Sequence, residues 1–224
     1  MLKLRIDGKE VQVPKDTMVL AAARSAGITI PTLCYHPRMK PFGGCRLCVV
    51  EIKGIPRLVT SCTTPVGDGM EVLTDTEHLR EVRTTVMKLL LSDHPVECIN
   101  CRATDTCALH ELTLFLDVHD NEFTGERRKY DTRDGNPFIE RNMEKCIMCN
   151  RCVQVCEEIQ GVSAIDIAYR GFKSKICPPF EKDLDCEFCG QCVQVCPTGA
   201  LLGKMWDKGL RLGQEKMAVD TVCT

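Results

Sequence analysis

Cysteines at repeated spacing are the residues of this sequence best suited to do chemistry. Cys146, Cys149, Cys152 and Cys156 stand at Cys-x2-Cys-x2-Cys-x3-Cys spacing, and Cys186, Cys189, Cys192 and Cys196 repeat the pattern forty residues later. A third set, Cys34, Cys45, Cys48 and Cys62, has a Cys-x2-Cys core with longer gaps on either side, and a run of His94, Cys98, Cys101 and Cys107 follows it. Thiolates in fours are ligands for iron–sulfur clusters or for structural zinc. The x2, x2, x3 rhythm, written twice and followed by Pro197, favours clusters, although Glu157 occupies the place where the first half would carry its proline. Zinc held by four cysteines is the alternative chemistry, and disulfides are a weaker one.

The doubled motif resembles that of two-cluster bacterial ferredoxins. In such a domain three cysteines wrap a loop around one cluster, while the fourth, one residue further along, starts a helix and points toward the other. The resemblance implies crossed ligand sets: Cys146, Cys149, Cys152 and Cys196 for one [4Fe–4S] cluster, and Cys186, Cys189, Cys192 and Cys156 for a second. The Cys34 set has the Cys-x2-Cys core of a [2Fe–2S] site, although ten residues fill its first gap where plant-type ferredoxins have four. Gly43 and Gly44 let the backbone turn tightly and bring N–H groups toward cluster sulfurs, or else they form an ordinary turn.

These ligands need elements to hold them. LKLRID and KEVQV alternate apolar and polar residues about a turn at Gly8, which predicts a β-hairpin. A helix is expected next, capped by Asp16 or Thr17 and ended by Gly27. The long cysteine loop then leads to the strand-like VVEI. In TEHLREVRTTVMKLLLSDHP, Leu79, Val82, Val86, Leu89 and Leu90 fall on one helical face, which predicts a packing helix. ALHELTLFLDV is helical in pattern, and the charged HDNEFTGERRKYDTRDGN reads as a linker or exposed loop. Each CVQVC segment should run into a short helix whose N–H groups face a cluster. AIDIAYRGF predicts a strand and turn.

The order hairpin, helix, cysteine loop, strand, with PTLCYHPRMKPFGGCRLCVVEI at its centre, resembles the β-grasp [2Fe–2S] domain that opens the large iron–sulfur subunit of complex I, [FeFe] hydrogenases and NAD-linked formate dehydrogenases. That resemblance implies a [4Fe–4S] cluster on His94, Cys98, Cys101 and Cys107. Replacing a thiolate by neutral imidazole removes negative charge and raises the potential relative to an all-cysteine site. A zinc site of one histidine and three cysteines is the alternative there. His36, His78, His110 and His119 read as surface or capping residues, and Cys177 as a non-ligand.

The expected fold class is α+β. A β-grasp [2Fe–2S] domain is expected over residues 1–76, and a small helical [4Fe–4S] domain with one histidine and three cysteine ligands over 77–120. A linker over 121–137, a 2×[4Fe–4S] ferredoxin domain over 138–204 and a tail over 205–224 complete the chain. Seventeen cysteines in 224 residues with 5% aromatic content imply small domains packed around metal. The opening MLKLRIDGKEVQV is charged and alternating, unlike an export signal, and no apolar run is long enough to span a bilayer, so a reducing, cytoplasmic setting is expected. Lys plus Arg number 29 against 31 for Asp plus Glu, which gives no basic bias toward nucleic acid or lipid. Protein partners are expected.

No phosphate loop, nucleophile–base pair or nucleotide fingerprint is evident, so the sequence predicts no catalytic residue and an electron relay carrying about 14 iron atoms by ligand count. RNMEKCIMCNRCVQVCEEIQGVSAIDIAYRGF and DCEFCGQCVQVCPTGAL resemble the ferredoxin part of NAD-dependent or electron-bifurcating formate dehydrogenase catalytic subunits. In that family a molybdopterin domain with molybdenum or tungsten follows. AVDTVCT resembles the start of its cysteine motif, with Cys223 as first ligand. The resemblance implies flavin- and NAD(P)-binding iron–sulfur subunits and a molybdopterin catalytic domain as partners. The alternatives are a stand-alone diaphorase-type electron-transfer subunit or relay arm of a hydrogenase and, more distantly, a zinc-based scaffold.

Overall fold

The computed structural model describes residues 1–130 and 135–204. Strands β1 (Leu2–Ile6) and β2 (Lys9–Val13) form the expected antiparallel hairpin. Asp7 and Gly8 both take positive φ, the twist that matches a two-residue turn to its strands. Alternation puts Leu4, Ile6, Val11 and Val13 inward, under Val19, Leu20, Ala22 and Ala23 of helix α1 (Val19–Ser25). Neither Asp16 nor Thr17 caps α1. Met18 holds that position without a side-chain bond, and the Thr17 hydroxyl turns back to the Pro14 carbonyl. The helix ends as expected at Gly27, where Ile28 N–H reaches Ala23 O.

VVEI forms β3 (Val49–Ile52), joined by two strands that the residue pattern does not announce, β4 (Ile55–Thr60) and β5 (Met70–Leu73). The sheet order is β2-β1-β5-β3-β4, with β1 and β5 parallel and the other pairs antiparallel.

Helix α2 (Glu77–Ser92) is capped by the Thr76 hydroxyl, which accepts from Leu79 N. Its buried stripe is Leu79, Arg83, Met87 and Leu91, while Leu89 is exposed and Val82, Val86 and Leu90 are half-buried. Helix α3 (Ala108–Phe115) packs beside it through Leu109, so that Leu33, Leu47, Met87, Leu91 and Val118 share one apolar cluster. The charged stretch after α3 is a largely exposed loop over residues 119–130, tied down at several points. Asn121 donates to Lys88 O, Arg128 pairs with Asp93 and donates to Cys146 O, and Tyr130 donates to Ser174 O.

From residue 138 the elements are short. β6 (Ile139–Arg141) pairs with β9 (Leu201–Gly203), and β7 (Asp166–Ala168) with β8 (Lys175–Cys177). Helix α4 (Arg151–Gln154) continues as a π-helical turn over Val155–Gln160, and helix α5 (Gln191–Val195) is its counterpart. The CVQVC segments therefore lie within the helices. Cys196 closes α5 and Cys156 sits inside the π turn, so neither starts a helix as expected. Among the described residues no helix is long and apolar enough to cross a membrane. Cys223 and the AVDTVCT stretch lie outside the described residues.

Candidate metal centres

The loop between α1 and β3 gathers the first thiol set. Cys45 N–H points at Cys34 Sγ at 3.4 Å, and Cys48 and Cys62 Sγ stand 3.3 Å apart. Within each pair the two thiols are close enough to share a proton. The shared proton pushes Cys34 and Cys62 up, with burial adding to it, and lowers their partners, Cys45 to about 5 and Cys48 to about 7. Metal loading must displace the shared protons. Gly43 has φ +68, and a Cβ on Gly44 would collide with the Phe42 ring, so both glycines serve the turn that aims the Gly44 and Cys45 N–H groups at Cys34.

His94 follows α2 and is only 8% exposed, yet its Nδ1 has no hydrogen-bond partner. Burial, then the Lys145 and Arg127 charges, depress it to about 4, so the ring is neutral at physiological pH. A buried, neutral imidazole with a bare nitrogen fits a metal ligand. Cys98, Cys101 and Cys107 follow on two 3-10 turns and at the start of α3. The thiolate charges of Cys98 and Cys101 raise the pKa of Cys107, after its burial. Lys145 ties this group together, with Nζ 3.7 Å from Cys101 Sγ and its charge acting on His94.

The doubled motif takes matching conformations in its two halves. Met148 and Phe188 both have positive φ, and each sends its N–H to the sulfur two residues earlier, Cys146 at 3.4 Å and Cys186 at 3.3 Å. Asn150 and Gly190, again at positive φ, cap α4 and α5. Non-glycine residues held there cost about 1–3 kcal/mol each, and their recurrence marks a function for the loop.

The fourth cysteine of each half lies within electrostatic reach of cysteines in the other half. Burial and then the Cys196 charge, among others, raise Cys146 to about 11 and Cys149 to about 12, and Cys196 acts on Cys152 as well. Cys156 acts in turn on Cys186 and Cys192. One apolar cavity is lined by Cys156, Cys186, Cys189 and Cys192 together with Ile139 and Leu201. Ala164 N–H donates to Cys156 Sγ at 3.3 Å. Thiols grouped across the two halves, with Cys149 and Cys152 buried, Cys189 exposed and backbone N–H groups on several sulfurs, fit clusters that replace the protons. No three His, Cys, Asp or Glu side chains among the described residues converge closely enough for a single metal ion. Cys177 is buried in β8, apart from both quartets in sequence.

Side chains that the cysteine spacing does not reveal join the sites. Arg151 Nη2 donates to Tyr35 O at 2.7 Å, next to Cys34, and Nη1 to Val195 O at 3.5 Å, next to Cys196. Gln154 donates to Lys40 O at 2.9 Å, and Thr198 to Lys145 O at 2.8 Å. The Cys146 group thus touches both the Cys34 loop, through Arg151, and the Cys101 loop, through Lys145.

Three family models match stretches of this chain. Residues 1–77 match the 2Fe-2S iron–sulfur cluster binding domain, residues 83–122 the NADH-ubiquinone oxidoreductase-G iron–sulfur binding region, and residues 136–202 the ferredoxin-like domain of NADH-quinone oxidoreductase subunit 3. The chain is built of iron–sulfur domains. This iron–sulfur chain is 42% identical over 204 residues to the NADPH-Fe(3+) oxidoreductase subunit alpha of Geobacter sulfurreducens, covering 91% of this chain and 24% of that one. It is 40% identical over 210 residues to the NADP-reducing hydrogenase subunit HndD of Solidesulfovibrio fructosivorans, covering 90% and 36%. With an NADH-quinone oxidoreductase chain of Rhizobium meliloti the identity is 38% over 205 residues, covering 90% and 24%. The iron–sulfur chain thus spans between about a quarter and a little over a third of these curated relatives. Among solved structures, a chain of an NAD+-reducing [NiFe]-hydrogenase in the H2-reduced state superposes with TM-score 0.85 at 29% identity, covering 96% of this chain and 90% of that one.

Proposed function

We propose that this chain relays single electrons inside a multi-subunit oxidoreductase linked to NAD(H) or NADP(H). A [2Fe–2S] cluster would be held by Cys34, Cys45, Cys48 and Cys62. Three [4Fe–4S] clusters would be held by His94 with Cys98, Cys101 and Cys107, by Cys146, Cys149, Cys152 and Cys196, and by Cys186, Cys189, Cys192 and Cys156. Such clusters, when bound, supply one-electron redox chemistry at potentials tuned by their surroundings. The protein supplies ligands, burial, N–H donors and charge. The observation that carries the reading is the cavity collecting Cys156 from one half of the doubled motif and three cysteines from the other. Arg151 and Lys145 support a chain of neighbouring sites with the Cys146 group as its node.

Our proposed host is a formate dehydrogenase, on the sequence resemblance of the double-cluster segment. Its molybdopterin domain, with molybdenum or tungsten, and its flavin- and NAD(P)-binding subunits would be the partners. A hydrogenase-type electron-transfer subunit is the second reading, favoured by the 90% coverage of the [NiFe]-hydrogenase chain. Iron, zinc, molybdenum and tungsten measured in the anaerobically purified native complex separate these readings. About 14 iron atoms assigned to this chain by ligand count, with molybdenum or tungsten present, supports formate dehydrogenase. The same iron with neither heavy metal supports the hydrogenase-type subunit, and zinc in place of iron ends the relay reading.

A further inference from the structure

Arg83 is a cation in an apolar interface. It lies on the inward stripe of α2 between Leu79 and Met87 and is 5% exposed. Its Nε donates to Leu47 O at 3.1 Å and its Nη2 to Val49 O at 2.8 Å. Those carbonyls flank Cys48, which is itself 1% exposed.

Both hydrogen bonds go to neutral acceptors, and among the described residues no carboxylate pairs with this guanidinium. The nearby acids are engaged elsewhere: Asp75 takes Arg80 in a two-bond fork at 2.7 and 2.6 Å, and Asp7 takes Thr74 through N–H at 2.7 Å and hydroxyl at 2.5 Å. A buried charge without a counter-charge costs several kcal/mol, and neutral carbonyls recover only part of that. Asp75, Cys48 and Asp7 all act on the guanidinium without bonding to it, and of these only the Cys48 set would gain negative charge when a cluster is bound and reduced. The thiolates and sulfides of a [2Fe–2S] cluster outweigh its iron charge, and an added electron makes it more negative still.

We propose that Arg83 is the buried counter-charge of the [2Fe–2S] site, a positioning residue that fixes the Leu47–Cys48–Val49 backbone from behind and stabilises the reduced cluster. This rests on the ligand set proposed above. Arginine suits the role because its fork reaches two carbonyls at once and does not lose its proton. It also couples α2, which leads to His94, to the charge state of the first cluster.

The test is an anaerobic redox titration followed by electron paramagnetic resonance, on the full chain in its native complex, with Arg83→Gln and Arg83→Lys. The [4Fe–4S] midpoints serve as internal references. Arg83→Gln is expected to shift the [2Fe–2S] reduction equilibrium about tenfold toward the oxidised form, which is about 59 mV for one electron, while Arg83→Lys, which keeps the charge, stays near the parent. A parent protein without a [2Fe–2S] resonance overturns the ligand set itself. A cluster that assembles in Arg83→Gln with an unmoved midpoint overturns the role of Arg83 alone. If Arg83→Gln assembles no cluster, Arg83→Lys decides: a parent-like midpoint supports the proposal, and a lowered midpoint or no cluster overturns it.

Discussion

The first 77 residues and the segment from residue 138 both hold cysteine quartets, but they keep their shape by different means. The N-terminal part has a five-stranded sheet and a helix enclosing fifteen buried side chains, of which only Cys48 and Cys62 are thiols. The doubled-motif part has two-stranded ladders of three residues each, and cysteines line its core: Cys152 is buried there, with Cys146, Cys156, Cys186, Cys192 and Cys196 packed against it. One fold positions ligands, and the other is partly made of them. In the first, apolar burial at about 25 cal/mol per Å² works whether or not iron is bound. In the second, ligand bonds to the proposed clusters would take over part of the core's work.

Iron removal puts the largest strain on that contrast. Anaerobic chelation is expected to strip amide-exchange protection from β6, β9, α4 and α5 together, while β1, β5 and α1 keep theirs. Equal loss in both parts would show that the N-terminal sheet also depends on metal. A second, smaller effect runs the other way. Leu20 is fully buried against the sheet, and Leu20→Ala is expected to cost about 2–5 kcal/mol in the exchange free energies of β1 and β5 amides, in loaded and iron-free protein alike. Protection from residue 138 onward should not change.

The same contrast governs what could be read from the residues. The candidate cysteine quartets stood out because their repeated spacing is local in sequence, and the hairpin was legible because period-two alternation is local. β4 was hidden by Pro56 and by three exposed positions. β6 and β9 were hidden because three residues carry no period and their partners lie about sixty residues apart. The face of α2 was read from its apolar residues alone. That placed Leu89 inward and left Arg83 out, because a guanidinium is buried only when tertiary structure supplies carbonyls such as those of Leu47 and Val49. Lys145, Arg151 and Gln154 escaped for a related reason: each serves a neighbour brought close by folding, 44 to 116 residues away in the chain.

Lys145 gives the smallest expected effect and compares directly with Arg83. Both are cations next to a candidate ligand sulfur or its backbone, but Lys145 is only half-buried, so solvent screens its charge. It stands between two sites, immediately before Cys146 in the chain and 3.7 Å from Cys101 Sγ. Lys145→Met keeps most of the side-chain volume and removes the charge. It is expected to lower the midpoints of the His94 and Cys146 sites together, each by less than a tenfold shift, which is under about 59 mV for one electron. The [2Fe–2S] midpoint should stay in place. Because His94 Nδ1 is bare and its ring neutral, the shift at that site measures the lysine charge and not a change in histidine protonation. A titration in which only one of the two sites moves would mean that Lys145 serves a single cluster. The coupling between the small helical region and the doubled motif would then fall to contacts such as Ala108 N–H on Pro197 O and Arg102 on Glu140 and Gly203 O.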